Sequence, residues 1–386
     1  MTEETSTAPI PSSNPSSSFP FTFPNQPQPQ PQPPLGTEEP PRKKVKSVRF
    51  NADANEVAYY EKNPGGAHEK DDGEGSDDGE VSSETLRHMI VQLEKKINKN
   101  QEMRLKHGDN PEEFMDSELD LDDEIRKFNV ISTTPALFVD FVRFGATASF
   151  MSLLCHDNED ISADVLRLFV EYTTVDDSTS LEEIRYATVL VDDLLENKAF
   201  ELLTQNMVRA STKLAGLLAR ESAASADGAA SSSETKAVDP EDVRDKQEVI
   251  VNTLTCLDNC IEISGAPVRK RLCEIDALPQ FLLGKVLEYS RDLAELDDIG
   301  SYACELLSIV VNQDAEAQRR VGELNGVELL LQAVNNVKHV KKPKSPEDEE
   351  FIENIFNTLC SLLLVPTNQG KFHESEGVDL MLLVIK

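Results

Sequence analysis

The sequence predicts an all-α fold: a stack of helical hairpins behind a disordered N-terminal tail. Three observations carry this. Apolar residues recur at helical spacing from Glu84 onward, with almost no alternating strand pattern. A small or turn-forming residue followed by an apolar helix with a Leu-Leu-like pair returns at intervals of about fifty residues. The first eighty residues lack the apolar content to build a core.

The tail is expected over residues 1–82. Met1–Pro41 holds most of the 21 prolines, with Gln and Pro alternating from Gln26 to Pro33, a composition that favours extended polyproline II. Pro40-Pro41 leads into Arg42, Lys43, Lys44 and Lys46, which read as a monopartite nuclear localisation signal. An extended backbone presents successive cations to separate acidic pockets, so a nuclear import receptor is the expected partner and the nucleus the expected location. A solubilising charge cluster would have the same composition. Glu69–Glu80 is rich in Asp, Glu and Gly, and Ser76 before Asp77-Asp78-Gly79-Glu80 is a candidate phosphosite for an acid-directed kinase.

The helical domain is expected over 83–386. Leu86, Met89, Ile90, Leu93 and Ile97 lie on one helix face. Asn110-Pro111-Glu112-Glu113 reads as a helix start: Asn caps, Pro takes the first turn, and the acids favour the positive end of the dipole. Further helices are expected over Ile161–Tyr172, with Val165, Leu168, Phe169 and Tyr172 inward; from Asp239-Pro240 through Val249, Ile250, Leu254, Leu257 and Ile261; over Tyr302–Val311; and over Phe351–Leu364. The recurring pattern starts at Ala146, Lys198, Asp276, Gly326 and Gly377, at spacings of 52, 78, 50 and 51 residues. The long interval contains the Ala/Ser-rich stretch Glu221–Lys236, so a low-complexity loop is expected at about 221–238. One such unit cannot bury both of its faces, but stacked copies can. The predicted architecture is therefore an armadillo/HEAT-like helical superhelix with a long groove.

Charge narrows the function. Asp plus Glu number 70 against 38 Lys plus Arg, a formal charge of −32. Residues 81–386 alone hold 56 acidic against 31 basic residues. This argues against direct sequence-specific nucleic-acid binding, which needs a basic face, and fits a positively charged partner. The six cysteines form no CxxC pair, which predicts neither a disulfide framework nor a zinc knuckle and suits a reducing compartment. Met1–Ser18 has no apolar core, so no secretory signal is expected, and no apolar run approaches the roughly 18 residues of a membrane span. No membrane partner is expected. The histidines are dispersed, with no HExxH and no GxxxxGK[ST]. His156, within Cys155-His156-Asp157-Asn158, fits a helix–helix turn better than a nucleophile pair, because neighbours on one helix do not face each other. No catalytic residue, metal ligand or cofactor is assigned, and a non-enzymatic protein is expected.

The densest acidic patch of the helical part, Glu118, Asp120, Asp122, Asp123 and Glu124, is a candidate clamp for a partner's lysines or the solvated face of a capping helix. Lys338, Lys341, Lys342 and Lys344, with Pro343 and Ser345-Pro346, form a basic inter-helix loop. The chain has no tryptophan, so a Trp–Asn ladder of the kind that import receptors use on basic peptides is excluded.

Asp109-Asn110-Pro111-Glu112-Glu113-Phe114-Met115-Asp116-Ser117-Glu118-Leu119-Asp120-Leu121 closely resembles the opening signature of the beta-catenin-like family of nuclear armadillo-type proteins. Leu153–Asp160, Gly322–Val327 with its leucine run, Phe351–Leu364 and Gly377–Leu382 fit the same family in order, so the resemblance covers about residues 84–386. It implies association with the spliceosome through the nineteen complex and binding of basic localisation-type peptides of splicing factors. In vertebrates it also implies a link to an antibody-diversifying deaminase. A homodimer is among the contacts it allows. Animal members continue by roughly one further group of helices, so the expectation is either an array truncated at Lys386 or a last repeat with an uncovered apolar face. A generic armadillo-type scaffold, or an import-like adaptor unrelated to splicing, is the alternative.

Overall fold

The computed structural model describes residues 81–226, 238–340 and 342–385, all within one compact unit. The localisation-type cluster Arg42, Lys43, Lys44 and Lys46 and the candidate phosphosite Ser76 lie outside the described residues. Among the described residues there are sixteen α-helices and no strand.

Two helices open the array: α1 (Ser83–Lys106) and α2 (Glu112–Arg126). Three-helix repeats follow. The first is α3 (Phe138–Arg143), α4 (Ala146–Leu154) and α5 (Glu159–Thr173). The second is α6 (Leu181–Glu196), α7 (Ala199–Ala226) and α8 (Pro240–Ser264). Then come α9 (Ala266–Glu274), α10 (Ala277–Tyr289) and α11 (Asp298–Val311), and α12 (Ala315–Glu323), α13 (Gly326–Val337) and α14 (Pro346–Leu362). The last described helices are α15 (Pro366–Glu374) and α16 (Gly377–Ile385). Third helices stack on third helices, α2 on α5, α5 on α8, α8 on α11 and α11 on α14. Second helices form a parallel row, α4, α7, α10, α13 and α16. This two-row stacking is the armadillo-like arrangement the repeat spacing predicts.

The recurring sequence pattern turns out to be the corner between first and second helices. A left-handed residue stands there in four repeats, Gly145 (φ 77°), Lys198 (φ 62°), Asn325 (φ 63°) and Glu376 (φ 57°). The next residue is small because it is buried against the preceding helix. Ala146 and Ala199 are fully buried, and a Cβ on Gly326 would lie 2.6 Å from the Val321 carbonyl oxygen. The corner at Asp276 is the exception: its φ is −49°, and Ala277 is exposed.

The core is continuous along the stack. In the first repeat Phe128 packs edge-on against Phe150, centroids 5.0 Å apart, and Tyr172 donates its hydroxyl to the Phe128 carbonyl at 2.7 Å. Leu254, Leu257, Leu307 and Ile355 extend the core through α8, α11 and α14. All the inward residues expected on α5 are buried. Two local expectations fail. Asn110 gives α2 no side-chain cap: Pro111 is already in the helical region (φ −57°, ψ −30°), and Glu113 N–H bonds to the Asn110 carbonyl instead. Helix α7 also continues to Ala226, into the stretch expected as loop. Ala-rich sequence favours helix, and Ser222 donates back to the Leu218 carbonyl.

No single described helix is long and apolar enough to cross a membrane. The bent pair Pro135–Arg143 and Ala146–Leu154 passes that test by composition, but its Phe138, Phe141 and Phe150 lie in the core.

Candidate functional site

The row of third helices carries two electrostatically different halves. In the first half, α2, α5, α7 and α8 enclose a cleft of about 590 Å³ whose carboxylates hold cations of the same chain. Arg126 bonds Asp122 at 2.7 Å and Asp164 at 2.9 Å, and Arg167 bonds Glu248 at 2.7 Å and also Asp164. Glu159 holds Lys246 at 2.9 Å and also Lys213. Asp122 and Asp164 face each other. Burial, then Asp164 itself, pushes the Asp122 carboxyl up to about 7. Burial works against ionisation of Asp164 too, yet its bond to Asp122 and the two guanidiniums hold it below the ordinary range. Below about pH 7 the pair therefore holds one proton, on Asp122. That explains why Asp122 Oδ1 is buried with no donor facing it.

The acidic patch expected on α2 belongs to this neutralised half. Glu118 bonds Arg104 and accepts from Asn158 at 2.9 Å. Asp120 holds Lys96 at 3.0 Å and Lys99 at 2.7 Å, while Glu124, itself buried, holds Lys127 at 2.7 Å. Asp122 bonds Arg126, and of the five only Asp123 is exposed and has no ion pair among the described residues. The structure brings these residues together on one helix but engages four of them with cations of the same chain: Glu118 and Asp120 with α1, Asp122 within α2, and Glu124 with the residue that follows α2.

His156 completes this junction. Its Nδ1 accepts the Asn158 N–H at 3.0 Å, so the proton is on Nε2, which donates to Asn100 Oδ1 at 3.0 Å. Asn100 donates to Ser117 at 3.0 Å, and Ser117 to the Phe114 carbonyl at 2.7 Å. Burial, then the Arg104 charge, holds His156 below its usual value and so neutral. The segment Asp109–Leu121 and the turn Cys155–Asn158 are thus bonded to each other, as the helix–helix turn reading of His156 requires.

The second half of the row is different. Its solvent face comprises Thr255, Asp258, Asn259 and Glu262 on α8, Tyr302, Glu305 and Ser308 on α11, and Glu350, Glu353, Asn354 and Asn357 on α14. Neither α11 nor α14 contains a Lys or Arg. Among the described residues Asp258, Glu262, Glu305, Glu350 and Glu353 hold no cation. Burial, then Glu262, pushes the Asp258 carboxyl up. Burial, then Asp258 and Glu350, does the same to Glu305. Asp258 and Glu305, both partly buried, and the exposed Glu262, Glu350 and Glu353 therefore share a face of three stacked helices with no cation among the described residues to offset them. Beside them run amides and hydroxyls able to bond an extended backbone: Asn259 lies 3.4 Å from Thr173 Oγ1, and Ser308 lies 3.5 Å from Asn354 Oδ1. The sequence reading missed these residues because the acids are spread over ninety positions. The signal that could have found them is the absence of Lys and Arg from Asp298–Val311 and Pro346–Leu362.

Of the four lysines of the basic loop, Lys338 donates to Asn335, Lys342 and Lys344 are exposed, and Lys341 lies outside the described residues. Among the described residues no group of three His, Cys, Asp or Glu is placed to hold a metal ion.

The family described as "Catenin-beta-like, Arm-motif containing nuclear" matches residues 67–386. Beta-catenin-like protein 1 of Rattus norvegicus is 33% identical over 306 residues, which cover 79% of this chain and 48% of that one. The Homo sapiens protein is 32% identical over the same shares. The Schizosaccharomyces pombe homolog is 30% identical over 302 residues, 78% of this chain and 46% of that one. The chain spans about half the length of these relatives.

Proposed function

The chain belongs to the catenin-beta-like, Arm-motif containing nuclear family, and on that premise we propose that it is a non-enzymatic nuclear scaffold that grips basic, localisation-type segments of splicing factors. The observation that carries the reading is the uncompensated carboxylate face of α8, α11 and α14. An extended lysine- or arginine-rich segment laid along this face places a cation at each helix, between Asp258 and Glu305 and between Glu305 and Glu350. Burial first, then neighbouring carboxylates, pushes Asp258 and Glu305 up, and bound cations offset the repulsive part of that cost already present in the free protein. Asn259, Ser308 and Asn354 are available to bond the segment's backbone.

Each exposed ion pair contributes only about 0–1 kcal/mol, so several must form together to approach the roughly −8 kcal/mol of micromolar affinity. Membership of a spliceosomal assembly, the nineteen complex, rests on the family resemblance. The test is a pulldown from nuclear extract with the intact chain and with Glu305→Lys/Glu350→Lys, read by mass spectrometry. Splicing factors recovered by the intact chain and lost by the variant support the reading. Equal recovery by both would show that partners are held elsewhere.

A further inference from the structure

The basic loop between α13 and α14 plays no part in the reading above. It ends in Ser345-Pro346, one of two Ser/Thr-Pro dipeptides in the whole chain; the other is Thr134-Pro135. The two are not equivalent. Thr134 lies between two turns of 3-10 helix, its N–H held by the Ile131 carbonyl at 3.0 Å, and its flanking Ile131 and Leu137 are core residues. Ser345, part-buried like Thr134, has extended backbone (φ −137°, ψ 163°) and its neighbours Lys342, Lys344, Pro346 and Glu347 are exposed; its Oγ accepts the Asp348 N–H at 3.1 Å and its hydroxyl bonds the Glu347 carboxylate. Lys342 and Lys344 pair with no carboxylate among the described residues. Two ammonium groups without a carboxylate partner among the described residues therefore stand within three residues of this part-buried hydroxyl, on a mostly exposed stretch at the end of α14 that leads into Glu350 and Glu353.

We propose that Ser345 is a phosphorylation site for a proline-directed protein kinase, and that its phosphate strengthens the hold of the acidic face on basic segments. In the transfer, Ser345 Oγ attacks the γ-phosphorus of ATP. The Oγ–P bond forms as the bond from that phosphorus to the bridging oxygen breaks; ADP leaves, and the hydroxyl proton passes to the kinase's base. The phosphate brings a charge of about −1.5 to −2 and oxygens that accept the first N–H groups of α14 in place of Oγ. Lys342 and Lys344 are then engaged by the phosphate and no longer repel a cationic ligand approaching Glu350. Lys342–Glu350 has two lysines against four acids, so its net charge goes from −2 to about −4. Two carboxylates oppose the new charge: Asp348, buried and accepting the Lys344 N–H at 2.8 Å, and Glu347, which bonds the Ser345 hydroxyl and must turn away toward solvent.

The second half of the proposal rests on the reading under Proposed function, and the experiment separates the two. The full chain is incubated with a proline-directed kinase and Mg-ATP, and the phosphate is mapped by mass spectrometry in the intact chain, Ser345→Ala, Ser345→Thr and Pro346→Ala. The expected result is phosphate on Ser345, retained on the threonine of Ser345→Thr, absent from Ser345→Ala and sharply reduced in Pro346→Ala. Phosphate on Thr134 alone, or incorporation at Ser345 only after unfolding, overturns the site. A lysine-rich peptide is then titrated against both forms of the intact chain. Tightening of about twofold to fivefold on phosphorylation is expected. Unchanged or weaker binding overturns the strengthening. If neither form binds, the acidic-face reading and the strengthening fall together, while the site is judged by the mapping.

Discussion

At the scale of single residues, the shared proton between Asp122 and Asp164 makes a pH signature. In the unfolded chain Asp122 ionises near 4, whereas in the fold it is pushed up to about 7. Its contribution to stability is full below about pH 4 and falls as pH rises toward 7, because the unfolded state releases its proton first. Asp164, held low, titrates beneath that window. Asp122→Asn keeps a donor facing Asp164 at every pH. Denaturant melts near pH 5 and pH 8 should therefore show the intact chain losing stability relative to the variant as pH rises; a constant difference would refute the shared proton. Glycine provides a second test. A Cβ on Gly322 would meet Asn368 Oδ1 at 1.9 Å, and Asn368 cannot withdraw without breaking its bonds to the Gln318 and Leu362 carbonyls, each 2.9 Å. Gly322→Ala should cost about 2–3 kcal/mol in a thermal or urea melt. Gly370, with nothing near its Cβ position, should gain up to about 1 kcal/mol as Ala, and equal effects at the two sites would contradict this packing.

At the scale of elements, α11 is where stability and binding oppose each other. Glu305 is repelled by Asp258 and Glu350 in the free protein. Glu305→Gln should therefore raise the melting temperature while weakening a lysine-rich ligand, and a loss of both would mean that the carboxylate is structural. The third helices were readable from sequence because they are long and amphipathic: Val165, Leu168, Phe169 and Tyr172 are inward as their spacing predicts. The short first helices α9, α12 and α15 were not. Each has nine residues, too few for a period, and sequences such as Ala-Pro-Val-Arg-Lys-Arg-Leu-Cys-Glu bury only Val268, Leu272 and Cys273. The acidic patch on α2 was visible as composition, but its neutralisation was not. Lys96, Lys99 and Arg104 reach it from α1, a tertiary relation that local sequence does not encode. The corner residues Gly145, Asn325 and the small residues after them were visible as a repeat, and only the backbone angles show why they recur.

At the scale of the whole molecule, charge is divided along the stack rather than spread over it. The first half of the third-helix row satisfies its own carboxylates through Arg126, Arg167, Lys213 and Lys246, and the second half leaves Asp258, Glu305 and Glu350 without cations among the described residues. A ligand drawn by this field is expected to bind less tightly as pH falls below neutral, since burial and then neighbouring carboxylates push the Asp258 and Glu305 carboxyls up, so that they take up protons before ordinary surface carboxylates do. Exposed charges are screened over about 8–10 Å, so binding should also weaken steeply with salt. The most direct measurement is a titration of a lysine-rich splicing-factor peptide at two salt concentrations, against the intact chain and Asp258→Asn/Glu305→Gln/Glu350→Gln. The expected result is strong weakening at high salt and a further loss of about tenfold or more in the variant at low salt, a change of roughly 1.4 kcal/mol. Equal affinity at both salt concentrations, or for both chains, would contradict a charge-driven grip on this face.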